Sequence, residues 1–227
     1  MDAAFSVVAM DRGVRGYTIC MNLRPELVAH REMYRILLCA VGPRPIAWVS
    51  TLSKDGVPNL APFSFFNAVS AKPPMLGFAP AIRQLEHGHE PKGTLVNIRE
   101  TGEFVVNVVT FELAEAMNVT SGEYEYGVNE FELAKLEMRA SEMVRPAQVA
   151  ESPVSFECKL HRILEFGTEP PSGSFVIGEI VAIHVEDSVV REGKIDGDAI
   201  DLVGRMGGMQ YARTTERFEM LRPKVKR

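Results

Sequence analysis

Length, composition and charge exclude several classes of protein. The chain has 227 residues, of which 46% are hydrophobic and 24% charged, so its composition is that of a globular protein rather than a disordered one. The net charge is -5, from 25 basic and 30 acidic residues, and provides no overall basic field for nucleic acid. No apolar run approaches the roughly 20 residues that cross a bilayer, and charged residues interrupt the apolar stretch near the N-terminus, which argues against a membrane span and a signal peptide.

The predicted elements are mostly strands that follow one another along the chain. A helix is predicted first over residues 32–38, and a turn containing Asp55-Gly56 separates the first two strands. The predicted strands cover residues 45–52, 59–66, 75–79, 103–109, 154–166 and 174–185. The later helices cover residues 94–100 and 111–117, and residues 131–138 are helical at first. Because strands neighbour strands instead of alternating with helices, we expect a mainly β fold, an antiparallel barrel with a few short peripheral helices.

The first two predicted strands carry small hydroxyl and amide side chains among aromatic ones. They contain no Cys, His, Asp or Glu, and therefore no acid, base or strong nucleophile. Such a surface suits a bound cofactor that performs the chemistry itself. Ser50 and Thr51 face opposite sides of their strand and could equally bond to neighbouring backbone. Phe65, Phe66 and Asn67 could read the edge of a heterocycle, or could form core packing followed by a turn.

Two glycine-containing segments are candidates for contact with a ligand. Lys92-Gly93-Thr94 opens a predicted helix, where free N–H groups and a cation favour an anion, although Thr94 could instead cap the helix. Residues 204–208 read Gly-Arg-Met-Gly-Gly, which is either a tight turn or a close approach to a planar ligand with Arg205 nearby.

The remaining polar clusters carry weaker signals. His87 and His89 lack further ligands at suitable spacing, so we interpret them as loop residues rather than a metal site. The acidic and aromatic loop over residues 124–130 could be a lid or a dimer contact, but we interpret it as a solvated loop. The three cysteines are odd in number, widely separated and without a Cys-x-x-Cys motif, which favours a reducing compartment and a cytoplasmic protein.

Taken in order, five motifs resemble those of the flavin reductase-like domain family of FMN-binding split-barrel proteins. The resemblance covers about residues 30–218. The motifs are Arg44-Pro-Ile-Ala-Trp-Val-Ser-Thr, Asn59-Leu-Ala-Pro-Phe-Ser-Phe-Phe-Asn-Ala-Val-Ser, Lys92-Gly-Thr-Leu-Val-Asn-Ile, Gly102-Glu-Phe-Val-Val-Asn, and Val203-Gly-Arg-Met-Gly-Gly with Tyr211-Ala-Arg.

The resemblance implies a homodimeric split β-barrel of Greek-key type with FMN near the subunit interface. It also implies flavin reduction by NADH or NADPH, often in the service of a partner monooxygenase. The flavin contacts that it implies are Ser50, Thr51, Ser64, Phe65, Asn67, Ala68, Val69 and Ser70, with Lys92 and Thr94 at the phosphate and Arg205 close to the site. The family often has Asp at the position of Gly93, so the detailed phosphate geometry is expected to differ here.

On this interpretation the chain has one FMN-binding split-barrel domain over residues 30–218. A loosely ordered extension is expected over residues 1–29, and a basic tail over residues 219–227. The same pocket would also suit a protein of a different class, an FMN-binding carrier or sensor that does not catalyse flavin reduction. An oxidase of the pyridoxamine-phosphate type is a second enzymatic alternative, although its phosphate-binding arginines are not evident.

Overall fold

The computed structural model describes residues 7–9, 19–85 and 88–225. The prediction of a loosely ordered extension over residues 1–29 falls in large part outside the described residues, as do His87 and the last two residues of the predicted tail. Residues 219–225 of that tail form neither helix nor strand.

A seven-stranded antiparallel sheet forms the body of the molecule. The strands are β1 (Ala47–Leu52), β2 (Pro58–Phe63), β3 (Phe66–Ala71), β4 (Pro74–Phe78), β5 (Glu103–Asn107), β6 (Val154–Glu165) and β7 (Ser174–Val185). Their spatial order is β2-β1-β5-β6-β7-β4-β3, so the first two strands lie at one end of the sheet and the third strand lies at the other. The predicted mainly β, antiparallel fold is confirmed.

Helices and short hairpins surround the sheet. In the described residues, no helix combines the length and the apolar character that a membrane span requires. The helices are α1 (His30–Ala40), α2 (Gly93–Thr101), α3 (Ala114–Val119), α4 (Glu130–Leu133) and α5 (Gly197–Ile200), with single 3-10 turns at Pro25–Leu27 and Asp187–Val189. The two-stranded pairs are Val7–Ala9 with Ile19–Met21, Arg83–Leu85 with Gly88–Glu90, Met138–Arg139 with Gln148–Val149, Val190–Arg191 with Lys194–Ile195, and Val203–Arg205 with Tyr211–Arg213.

The strand predicted over residues 59–66 ends at Phe63, and a second strand that was not predicted, β3, begins at Phe66. The chain bends at Ser64 and Phe65, where the Phe65 carbonyl accepts a hydrogen bond of 2.8 Å from the N–H of Ala79. This bend carries the chain from one end of the sheet to the other, a long-range connection that the local pattern cannot indicate.

The strand β1 buries both of its faces, each in a different cluster of the core. Ala47 and Val49 pack with Phe104 and with Leu95 of α2, which closes one side of the sheet. Trp48, on the other face of β1, packs in a second cluster with Met117 of α3 and Phe131 of α4. The alternation of side chains along a strand explains this division, and it fixes α2 on one side of β1 and α3 and α4 on the other.

Candidate functional site

A cavity of about 570 Å³ lies between β2, α1, the beginning of α2 and the segment of residues 120–126. Its volume lies within the range of small-molecule sites. Residues from α1, including Met33, Tyr34 and Leu37, form one wall, and Ser64 and Phe65 lie at the bend after β2. The rings of Tyr34 and Phe65 are 6.3 Å apart, centre to centre, so this part of the cavity is aromatic and apolar.

The opposite end of the cavity is polar and is built on the first turn of α2. Lys92 precedes the helix, and Thr94 is almost completely buried in its first turn, where its hydroxyl accepts a hydrogen bond of 3.1 Å from the Asn59 amide. The first N–H groups of a helix have no partner within the helix, and the helix dipole gives them a positive partial charge. Lys92 occupies the N-cap position without a capping side chain, so the alternative that Thr94 caps the helix is wrong. These groups together can bind an anion.

Arg83 is a second cation at this end, and the sequence analysis missed it. Its side chain is only 9% exposed, lines the cavity, and donates a 2.5 Å hydrogen bond from Nη1 to the Tyr124 carbonyl while Nη2 pairs with Glu90. Its buried Nε has no hydrogen-bond partner among the described residues. Because Lys92 pairs with Glu123, next to Tyr124, the two cations approach the cavity at the same end. A single arginine outside any recognisable motif gives no sequence signal.

The loop over residues 124–130 was interpreted as solvated, but it forms part of the cavity wall. The Tyr126 hydroxyl donates a 2.8 Å hydrogen bond to the Asn97 side-chain oxygen of α2. Glu130 is buried at the cavity and accepts a 2.9 Å hydrogen bond from the N–H of Leu60. Burial raises the pKa of Glu130 above its ordinary value, and the backbone hydrogen bond opposes that rise in part. Residues 125–127 are exposed, as interpreted, but the sequence did not indicate that Tyr126 and Glu130 bond to α2 and β2.

Gly93 has a specific packing environment. A β-carbon at this position would lie 3.1 Å from the Asn59 side-chain oxygen and 3.2 Å from the Tyr126 ring. Such contacts would be tight, so the space in which the family often places an aspartate is here occupied by Asn59 and Tyr126.

The structure brings four of the predicted site residues, Ser64, Phe65, Lys92 and Thr94, to this cavity. Ser50 and Thr51 are buried, and their side chains are engaged: Ser50 donates to the carbonyl of Ala147, and Thr51 accepts a 3.0 Å hydrogen bond from the Asn97 amide.

The remaining predicted contacts lie outside the cavity wall. Four of these predicted flavin contacts lie along β3, the last strand of the sheet. Their side chains are exposed or half-buried: Asn67, Ala68, Val69 and Ser70.

Arg205 lies farther from the cavity and is connected to it by Arg44. The Arg205 guanidinium lies 4.4 Å from the centre of the Tyr211 ring, and its backbone pairs with that of Arg44. The buried Arg44 guanidinium in turn donates to the Leu38 carbonyl of α1 over 2.7 Å and to Ser64 Oγ over 3.4 Å. Arg44 therefore ties α1 to the bend at Ser64.

Proteins of known structure share this fold. The flavin reductase-like domain family matches residues 41–205. Nitrilotriacetate monooxygenase component B from Bacillus cereus is 32% identical, with a TM-score of 0.83 over 89% of this chain and 100% of that one. The 2-nitrobenzoate 2-nitroreductase of Pseudomonas fluorescens is 31% identical, with a TM-score of 0.78 over 89% of this chain and 96% of that one. A protein of Shewanella frigidimarina described as a flavin reductase with a split barrel domain is 25% identical, with a TM-score of 0.72 over 90% of this chain and 100% of that one.

The chain belongs to the flavin reductase-like domain family, and its fold is the split β-barrel of those proteins. The resemblance on which the sequence analysis relied is therefore confirmed.

Proposed function

We propose that this protein binds FMN in the described cavity and acts as a flavin reductase with NADH or NADPH as the electron donor. The observation that carries the proposal is the polarity of the cavity. At one end, the cations Lys92 and Arg83 lie beside the N-terminus of α2. The other end is aromatic and apolar. FMN has the same division, with a phosphate at one end and a planar ring system at the other.

Residues at the polar end suit the phosphate. Lys92, Arg83 and the first N–H groups of α2 supply positive charge and donors, and the Thr94 hydroxyl is nearby. The Arg83 guanidinium is held by the Tyr124 carbonyl and by Glu90, which keeps its positive charge beside the cavity that the residue lines.

Residues at the apolar end suit the ring system. Phe65 and Tyr34 offer ring faces, and Ser64 offers a hydroxyl. The other predicted contacts remain part of the proposal: Ser50, Thr51, Asn67, Ala68, Val69, Ser70 and Arg205. The four on β3 are accessible to a flavin that is held against a second subunit.

The bound flavin would supply the redox chemistry by accepting a hydride from the nicotinamide. The protein would neutralise the phosphate, keep water from the ring and hold the two ring systems within reach of each other. No protein acid or base is required for that transfer.

The proposed assembly is a cytoplasmic homodimer that passes electrons to a partner monooxygenase. The support for the partner is the similarity to a monooxygenase component B, which is itself one part of a larger system. The similarity to a nitroreductase supports a different electron acceptor, a small nitroaromatic compound, in place of the partner.

The absorbance spectrum of the purified protein with FMN tests the function, recorded before and after anaerobic addition of NADH or NADPH. We expect the yellow flavin absorbance to bleach within the dead time of manual mixing. Persistent yellow colour under excess nucleotide would identify a carrier or sensor instead, and failure to take up FMN would refute both functions.

Replacement of Lys92 tests the phosphate end. We expect Lys92→Ala to weaken FMN binding by roughly tenfold or more, because a charge-assisted contact to phosphate is lost. Riboflavin, which lacks the phosphate, should bind the variant and the parent alike, as measured by flavin fluorescence. Lys54→Ala, which changes an exposed lysine in the turn between β1 and β2, is the matched control. Equal FMN affinity in Lys92→Ala and the parent would remove Lys92 from the phosphate site.

A further inference from the structure

The ammonium group of Lys92 already has an anionic partner. Its Nζ lies 3.2 Å from Oε1 of Glu123, a residue of the segment that covers the polar end of the cavity. The Glu123 side chain is 63% exposed and the Lys92 side chain 27% exposed, so the carboxylate reaches the lysine from the solvent side.

The neighbouring contacts hold this segment in place independently of Glu123. Arg83 binds the Tyr124 carbonyl, and the Tyr126 hydroxyl binds Asn97 of α2. Glu123 therefore does not need to pair with Lys92 in order to position the loop, and its exposed carboxylate is free to move.

Because Lys92 can neutralise only one anion fully at a time, an incoming phosphate and the Glu123 carboxylate compete for it. The carboxylate also repels the phosphate directly, and both effects act only on ligands that carry the phosphate. An exposed ion pair is weak, so the competition is of a size that tunes affinity without preventing binding.

We propose that Glu123 is a specificity-determining residue, which competes with the ligand phosphate for Lys92 and so sets how strongly the site prefers FMN over riboflavin. This inference rests on the proposed flavin site and assigns to that site a residue that does not itself line the cavity.

The test compares FMN and riboflavin affinities, measured by fluorescence titration at low ionic strength, for the parent, Glu123→Gln and Glu115→Gln. We expect Glu123→Gln to bind FMN roughly two- to tenfold more tightly than the parent while riboflavin binding is unchanged. The gain should shrink as salt is added, because salt screens exposed charges. Glu115→Gln removes the same charge from an exposed position on α3 that neither lines the cavity nor pairs with Lys92, and it should shift FMN binding less.

A double-variant cycle separates competition for Lys92 from simple repulsion. In a Lys92→Ala background, Glu123→Gln should give a clearly smaller gain in FMN affinity than it gives in the parent. An unchanged ratio of FMN to riboflavin affinity in Glu123→Gln, an equal shift in Glu115→Gln, or an undiminished gain without Lys92 would each overturn the inference while leaving the flavin site intact. A parent protein that binds neither flavin would overturn the inference and the proposed function together.

Discussion

Single residues at the polar end of the cavity come from separate parts of the chain. Lys92 enters from the start of α2, while Arg83 belongs to the short hairpin before it. Thr94 and Asn59 contact each other across α2 and β2. Burial of a charged guanidinium is costly unless it is paired, and Glu90 and the Tyr124 carbonyl pair with Arg83 while the residue lines the cavity.

Replacement of Arg83 tests the role of this residue in FMN binding. We expect Arg83→Met to weaken FMN binding by roughly tenfold or more, because a buried donor group that faces the cavity is lost. Isothermal titration against the parent measures the change, and circular dichroism checks that the variant is folded. Arg99→Met is the control, since Arg99 pairs with Glu165 on the exposed side of α2. A similar loss of affinity in both variants would contradict a specific role for Arg83.

Among the structural elements, β6 and β7 hold the segment of residues 142–144 through one buried carboxylate. Glu157 of β6 accepts hydrogen bonds from the N–H groups of Glu142, Met143 and Val144, and its Oε1 lies 2.5 Å from His184 Nε2 on β7. Burial alone would raise the pKa of Glu157, but the backbone hydrogen bonds and His184 outweigh it and lower the pKa below its ordinary value of 4.5.

This pKa shift predicts a defined dependence of stability on pH. A carboxyl whose pKa is lower in the folded state stabilises the fold above its unfolded pKa, and loses that effect as the pH falls through the folded pKa. Glu157→Gln should lower the free energy of unfolding by about 2–4 kcal/mol at pH 7, with a smaller difference from the parent at pH values well below 4.5. Urea denaturation at several pH values measures this difference. Glu179→Gln, an exposed change on β7, should show almost none.

At the scale of the whole molecule, the described chain leaves an apolar edge uncovered. Phe65 and Val69, at the bend before β3 and along it, are 40% and 46% exposed, and Tyr34 of α1 is 49% exposed. Because β3 is the last strand of the sheet, its outer backbone groups are also available for association. This surface adjoins the cavity and is the one on which we place the proposed homodimer contact.

A charge placed on that edge tests the assembly. We expect Val69→Lys to raise the dimer dissociation constant by roughly tenfold or more, because a charge would be buried at an apolar contact. FMN affinity should fall with it if the flavin lies at the interface. Analytical ultracentrifugation measures the first effect and fluorescence titration the second. Ile195→Lys changes an equally exposed apolar residue in a distant hairpin and should leave the dimer unchanged. A parent that sediments as a monomer would contradict the proposed assembly.

The sequence alone determined the fold class and one end of the candidate site. The alternating and β-branched patterns of β1, β6 and β7 are local properties, and so is the entrance to α2 at Lys92 and Thr94, which explains why they were predicted. The ordered motifs indicated the family because each contains several residues at set spacing.

Only the tertiary structure decided which polar residues line the cavity and which internal partners they have. Ser50 and Thr51, which remain proposed flavin contacts, also bond to Ala147 and Asn97, which lie 97 and 46 residues away along the chain. Arg83 and Glu130 had no local pattern, because their positions depend on contacts with residues 124 and 60 across the fold. The spacing of residues along the chain predicts which face of a helix or strand a side chain lies on. The residue that this side chain contacts depends on how distant elements pack together.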